Sequence, residues 1–289
     1  MSIRENLKKI VYYLSGEIGP RSYLRTEALR KSAAYIISEF GGYGYDVFSR
    51  PYTVKDRIYE NIYVEKKGVR YPEKILVVGA HYDTATGTPG ADDNASGIAG
   101  LLELARLVKE MTFDKTVRFA AFTLEEPPFY RTENMGSYRF AKSLRDNGED
   151  IEGMICIEMI GYFSDLPKSQ FFPATFFKWF YPEQGNFILL AGNLSSKGFL
   201  LKVKEGFEKG SDLPVESIST LPLVPGIDFS DNWAFYKMGY NAVMVTDTAF
   251  YRNPYYHDAG DTPDTLDYDR MADVVTGLRS AILAFAVDG

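Results

Sequence analysis

The sequence predicts an α/β fold: a single domain whose mixed, mostly parallel central sheet carries helices on both faces. Three observations predict it. From residue 74 onward, short apolar runs alternate with longer segments of helical periodicity, the pattern of a parallel sheet covered on both sides. No internal repeat and no linker rich in Gly, Ser or Pro divides residues 1–289, so the chain reads as one domain. Four of the apolar runs lead into a His or a carboxylate, at the sheet edge where open α/β folds bind ligands.

Taken in order, Ile3, Leu7, Ile10, Val11 and Leu14 recur at helical spacing, and Gly19-Pro20 ends that helix. A second helix is predicted over 24–40, stopped by Gly41-Gly42. Residues 46–54 and 58–65 alternate and are β-rich, so they read as two antiparallel strands near a sheet edge. Gly68 turns the chain into strand 74–80, which precedes helix 96–110. Strand 116–124 precedes helix 135–146, strand 153–160 precedes a long loop, and strand 186–191 precedes helix 196–209. A short strand near 214–219 and a helix near 231–238 lead to strand 242–247, and the last helix runs over 267–286. Residues 162–187 crowd ten aromatics with Pro167, Pro173 and Pro182 and show no period. They read as a loop folded on the core, a substrate-pocket wall or an oligomer contact.

Composition narrows the function classes. A hydrophobic content of 45% and a charged content of 25% are those of a soluble globular protein. The net charge of -7, with no basic stripe, excludes a general nucleic-acid binder. No run approaches the ~20 apolar residues of a membrane helix, and the first residues are amphipathic, unlike the centre of a signal peptide. The single Cys156, inside the apolar run Met154–Ile160, excludes an intramolecular disulfide and a thiolate zinc site. It fits a reducing compartment, and the expected location is cytoplasmic. The oligomeric state is not legible.

The chemistry gathers after the strands. Strand 74–80 delivers His81 and Asp83, and its loop returns through Pro89-Gly90-Ala91 to Asp92 and Asp93. Strand 116–124 leads to Glu125-Glu126, strand 153–160 carries Glu158 at its end, and strand 242–247 leads to the loop holding His257. A lone histidine or a single carboxylate after a strand is more often structural or solvated. Both histidines of the chain lie in acidic loops after apolar runs, however, and convergence of these groups on one sheet edge is far from random. Two imidazoles and at least three carboxylates suit two zinc ions. Neighbouring side chains at a strand end diverge, so one of Glu125 and Glu126 can hold metal while the other stands free as a general base.

These motifs resemble the zinc-dependent aminopeptidases of the bacterial leucyl aminopeptidase type, which share a phosphorylase/hydrolase-like fold with glutaminyl cyclases and glutamate carboxypeptidases. The resemblance rests on His81-Tyr82-Asp83, Pro89 to Gly97, Glu125-Glu126 with Met135-Gly136-Ser137, Glu158 to Gly161, and Tyr256-His257 before Asp261 to Asp264. It implies that Asp93 bridges two zinc ions, that His81 and Glu158 complete one site, and that Glu126 and His257 complete the other. It implies Glu125 as general base and Asp83 as the acceptor that orients the His81 ring, with Asp92 structural. It also implies a cis peptide after Asp93. The chain departs from the pattern in three places: Glu158 stands where Asp is common, residues 127–134 lengthen the step to Gly136-Ser137, and Asn232 replaces a His after Asp231.

The implied activity is hydrolysis of a peptide or amino-acid amide at a free amino terminus. Three alternatives stay open: a glutaminyl cyclase-like reaction with one zinc, carboxypeptidase action using Arg131 or Arg252, and an inactive binding module of the same fold.

Overall fold

In the computed structural model, which describes residues 1–221 and 224–287, eight strands form one sheet in the order β1-β2-β4-β3-β5-β8-β6-β7. They are β1 (Phe48–Val54), β2 (Arg57–Lys66), β3 (Tyr71–His81), β4 (Lys115–Phe122), β5 (Asp150–Ile157), β6 (Ile188–Asn193), β7 (Val215–Thr220) and β8 (Ala242–Thr246). The four consecutive strands β4-β3-β5-β8 are parallel, with Val78 paired to Phe119 and Ile155, and Cys156 to Met244. The predicted edge hairpin β1–β2 is antiparallel and joins β4 antiparallel. On the far side β6 runs antiparallel to β8 and parallel to β7.

The helices are α1 (Ile3–Val11), α2 (Thr26–Gly42), α3 (Gly97–Val108), α4 (Gly136–Asp146), α5 (Lys197–Glu208), α6 (Asn232–Lys237) and α7 (Tyr268–Ala286). A capping box starts α1: Ser2 Oγ accepts from the Glu5 N–H, and Glu5 Oε2 accepts from the Ser2 N–H at 2.9 Å. The chain then continues as a π-helical segment over Tyr12–Ile18. Helix α2 runs through Gly41-Gly42 and ends there, and Gly44, whose φ is +82°, takes the left-handed turn beyond its cap Tyr43. Asp267 caps α7 by accepting from the Asp269 and Arg270 N–H groups.

Apolar side chains of α1, α2, α3, α5 and α7 cover one face of the sheet; those of α4 and α6 cover the other. Burial of this apolar surface is the main stabilising term. Strand β4 is buried along its whole length, and its Arg118 is neutralised by Glu65 at 2.6 Å and Glu149 at 2.7 Å. At Gly79, next to the site, a Cβ would lie 2.5 Å from the Phe122 ring, so β3 and the Phe122 side chain approach as closely as they do only with glycine there. Among the described residues no helix is long and apolar enough to cross a membrane.

Candidate metal centre

The parallel strands β4-β3-β5-β8 all end on one edge, and each hands a polar residue to that edge. His81 is the last residue of β3. Glu125-Glu126 follows β4, Glu158 follows β5 directly, and His257 lies in the loop system after β8. Leu124, Met159 and His257 have positive φ, +59°, +50° and +56°. These non-glycine residues in left-handed conformation sit beside or at candidate ligands, where backbone strain is commonly kept.

Two donor sets result, and Asp93 belongs to both. His81 Nε2 lies 3.5 Å from Asp93 Oδ1 and 3.2 Å from Glu158 Oε2. His257 Nε2 lies 3.1 Å from Asp93 Oδ2 and 3.3 Å from Glu126 Oε2. Within each set, one donor atom from each residue lies within 4.8 Å of the others. All of these groups except His257 are buried. The donor chemistry, imidazole with carboxylates, is that of zinc. The buried His81 Nε2 and Glu126 Oε1 have no hydrogen-bond partner among the described residues, as expected of atoms shaped to meet an ion. The residues therefore fit two metal ions.

Glu125 stands apart from both sets. Its Oε2 is 4.0 Å from His81 Nε2, and its Oε1 is buried without a hydrogen-bond partner among the described residues. Burial pushes its carboxyl well above the usual range; the His81 ring opposes this, and Glu126 and Glu158 reinforce it. Burial likewise raises Glu126 to about 7, with Asp93 adding and His257 opposing. At His81, burial disfavours the charged ring, but Glu158, Asp83 and Glu125 outweigh it and hold the ring well above its ordinary value.

A second layer fixes these groups. The Asp83 carboxylate accepts from the backbone N–H of Glu125 at 3.1 Å and of Glu126 at 3.2 Å. The His81 Nδ1 is met by the Asp83 main-chain carbonyl at 3.2 Å, and the carboxylate, 3.6 Å away, chiefly positions the glutamate pair. The Asp261 carboxylate accepts from the N–H groups of Asp92 at 2.8 Å and Asp93 at 3.1 Å. Asp92 accepts from the Gly161 N–H and the Asn253 side chain, a structural duty. Ser230 donates to Glu158 Oε2 at 2.5 Å and accepts from Cys156 Sγ at 3.4 Å, which anchors the longer arm of Glu158. The Asp93–Asn94 peptide is cis, and Asn94 ties this loop to β5 through the Ile157 carbonyl and the Met159 N–H.

Arg21 was not marked by any motif. It is completely buried and donates only to carbonyls: Tyr82 at 3.0 Å, Leu14 at 2.8 Å, Gly19 at 3.0 Å, Pro89 at 2.8 Å and Gly90 at 2.8 Å. It therefore holds the chain after His81 against the chain before Asp93. Gly90 makes this possible: with φ +63°, a Cβ there would lie 2.3 Å from the Asp93 carbonyl oxygen.

The two arginines considered for a substrate carboxylate are already engaged. Arg252 is buried, donating to Gln170 Oε1 at 2.9 Å and to the Phe187 carbonyl at 2.8 Å. Arg131 is ion-paired with Asp228. Asn232 donates to the Ile227 carbonyl, and Asp231 is buried at the Ser137 hydroxyl, raised to about 7 by burial. Beside Glu158 opens an apolar cavity of about 100 Å³, lined by Phe171, Phe177, Phe187, Ile227, Phe229 and Met244 among others. The aromatic loop 162–187 thus supplies one wall of it.

Comparison with known proteins bears on the family and the fold. The sequence profile of Peptidase family M28 matches residues 61–181. The chain is 42% identical over 282 residues to the uncharacterized protein YfbL of Escherichia coli K12, covering 95% of this chain and 86% of YfbL. It is 26% identical over 216 residues to leucine aminopeptidase 1 of Coccidioides posadasii, where the match covers 68% of this chain and 49% of that one. The fold superposes on BSAP, a zinc aminopeptidase from Bacillus subtilis, with a TM-score of 0.77 at 16% identity, covering 99% of this chain and 95% of that one. With the ligand motifs and near-full-length identity to YfbL, the chain belongs to peptidase family M28, the zinc-dependent aminopeptidase family that its motifs resemble.

Proposed function

We propose that this protein is a zinc-dependent metallo-aminopeptidase that removes N-terminal residues from peptides, with residues 1–289 acting as one catalytic domain. The observation that carries the reading is the placing of Asp93 between two donor sets, with the Glu125 carboxylate buried beside them and bound to neither. Asp93, His81 and Glu158 would hold one zinc ion; Asp93, Glu126 and His257 would hold the second. Zinc in such a site supplies a Lewis acid for the scissile carbonyl and lowers the pKa of water.

The protein's own groups do the rest. Glu125 takes a proton from the attacking water as that oxygen bonds to the scissile carbon. As the carbon–nitrogen bond breaks, Glu125 returns the proton to the departing amine. Its burial suits this double duty, because a carboxyl whose pKa burial raises is a stronger base than an exposed one. Asp83 keeps the glutamate pair in place through two backbone N–H groups. The apolar cavity next to Glu158 receives the side chain of the N-terminal residue and keeps water from it. The acidic site suits the substrate's free ammonium group. The single, buried cysteine supports placing the enzyme in the cytoplasm.

The test is a panel of leucine and phenylalanine amides and short peptides, free and amino-acetylated, with and without chelator. The free substrates are expected to be cleaved with zinc present, the acetylated ones to resist, and chelator to abolish cleavage. Preferential cleavage of the acetylated peptides, or cleavage unaffected by chelator, contradicts the reading.

A further inference from the structure

The extended step from Glu126 to Gly136 presents one side chain at the site for which neither the fold nor the donor sets account. After the cis Pro127–Pro128 bond, Phe129 is buried, its ring edge-on to Tyr23 at 5.4 Å, and its N–H donates to the Glu126 carbonyl. Arg131, with φ +54°, is ion-paired with Asp228 and donates to the Asp228 carbonyl at 3.0 Å. Its guanidinium lies over the Phe229 ring at 5.0 Å. Tyr130 is thus clamped on both sides.

The Tyr130 ring meets Phe229 edge-on at 6.2 Å, and Phe229 lines the apolar cavity together with Glu158. The hydroxyl oxygen of Tyr130 is buried and has no hydrogen-bond partner among the described residues. Buried phenol groups usually find a partner, and one left without it carries a desolvation cost of ~1–3 kcal/mol. The hydroxyl stays protonated: burial raises its pKa, Arg131 opposes this, and Glu125 and Asp228 reinforce it. It is a neutral donor, held between Arg131 and Phe229 beside the cavity that Glu158 lines, with no partner among the described residues to donate to.

We propose that Tyr130 is a substrate-contacting residue of this site, its O–H donating to a backbone carbonyl oxygen of the bound peptide. The proposal rests on the peptidase reading above. A turn of eight residues, 127–134, is kept rigid to present one hydroxyl that the fold itself leaves unused.

Tyr130→Phe tests it, because the substitution removes one oxygen and no hydrogen bond among the described residues. The variant should bind zinc to the same stoichiometry and melt at the same temperature as the wild type or above it. Its kcat/KM on free dipeptides should fall by roughly 10- to 100-fold, at or below the lower range for loss of one positioned donor. A kcat/KM within about twofold of an active wild type overturns the assignment and leaves the peptidase reading intact. Loss of zinc or a lower melting temperature also overturns it, since the hydroxyl would then serve the fold. A zinc-loaded wild type inert toward every free peptide overturns the peptidase reading, and this assignment with it.

Discussion

His81 and His257 face opposite oxygens of one carboxylate: His81 Nε2 lies 3.5 Å from Asp93 Oδ1, and His257 Nε2 lies 3.1 Å from Asp93 Oδ2. The two histidines are far apart in sequence and come from the ends of β3 and of the region after β8. Asp93 is brought between them by two long-range supports, the Asp261 carboxylate on its N–H and Arg21 on the carbonyls just before it. The site is therefore symmetrical in its donors and asymmetrical in its remaining carboxylate, because Glu125 stands on the His81 side alone.

That asymmetry separates the two neighbouring glutamates. Glu125→Gln is expected to keep the fold and both zinc ions and to lose activity by ~10²–10⁴-fold, the usual range for a general base. Glu126→Gln is expected to weaken zinc binding, by more than the ~10–100-fold typical of an outer-shell group, and excess zinc should partly restore its activity. Zinc content and zinc titration of the activity distinguish them; the reverse pattern would exchange the two roles.

The metal-free protein should lose stability as pH rises. Burial raises Glu126, Asp231 and Asp261 to about 7. His257 is raised to about 10; burial opposes this, but Asp93 and Glu126 outweigh it. In both cases the folded chain binds more protons than the unfolded one, so unfolding free energy falls with pH. The carboxylates' share is lost between their unfolded values and about pH 7, and the His257 share between its unfolded value and about pH 10. Urea denaturation of chelated protein from pH 5 to pH 9 should show a midpoint that moves steadily down, and a rising midpoint would contradict the shifts. Zinc binding should widen the difference between the loaded and chelated forms at high pH, because its ligands must be deprotonated.

Arg21 should be among the most sensitive positions for folding. Arg21→Met removes five charge-assisted hydrogen bonds from a fully buried guanidinium. Such bonds are worth ~1.5–3 kcal/mol each, so a loss above ~3 kcal/mol is expected even with relaxation. Denaturant titration of the variant measures it, and a loss below ~1 kcal/mol, less than one such bond, would mean that the carbonyls find other partners.

How far the sequence carried these conclusions differs from residue to residue. His81, Glu125, Glu126 and Glu158 were legible because each follows an apolar run that can only be a buried strand, and parallel strands end on one edge. Helices α3, α4, α5 and α7 were legible from their period. The order of strands was not, since nothing local makes β6 antiparallel to β8. The π-helical stretch after α1 was not, because a widened turn leaves the apolar spacing nearly unchanged. Arg21 and Ser230 escaped notice as functional supports because the partners that tie them to the site, Tyr82, Pro89 and Gly90 for Arg21 and Glu158 for Ser230, lie about 60 to 70 positions away. The bonds from the Glu125 and Glu126 N–H groups to the Asp83 carboxylate were not legible, because they join two neighbouring strand ends.

The most direct test of the two-zinc account is anomalous scattering at the zinc edge from crystals of the zinc-loaded protein. Two peaks are expected roughly 3.5–4 Å apart, one bounded by His81 and Glu158, the other by Glu126 and His257, with Asp93 touching both and Glu125 touching neither. A single peak, or a peak coordinated by Glu125, would contradict it.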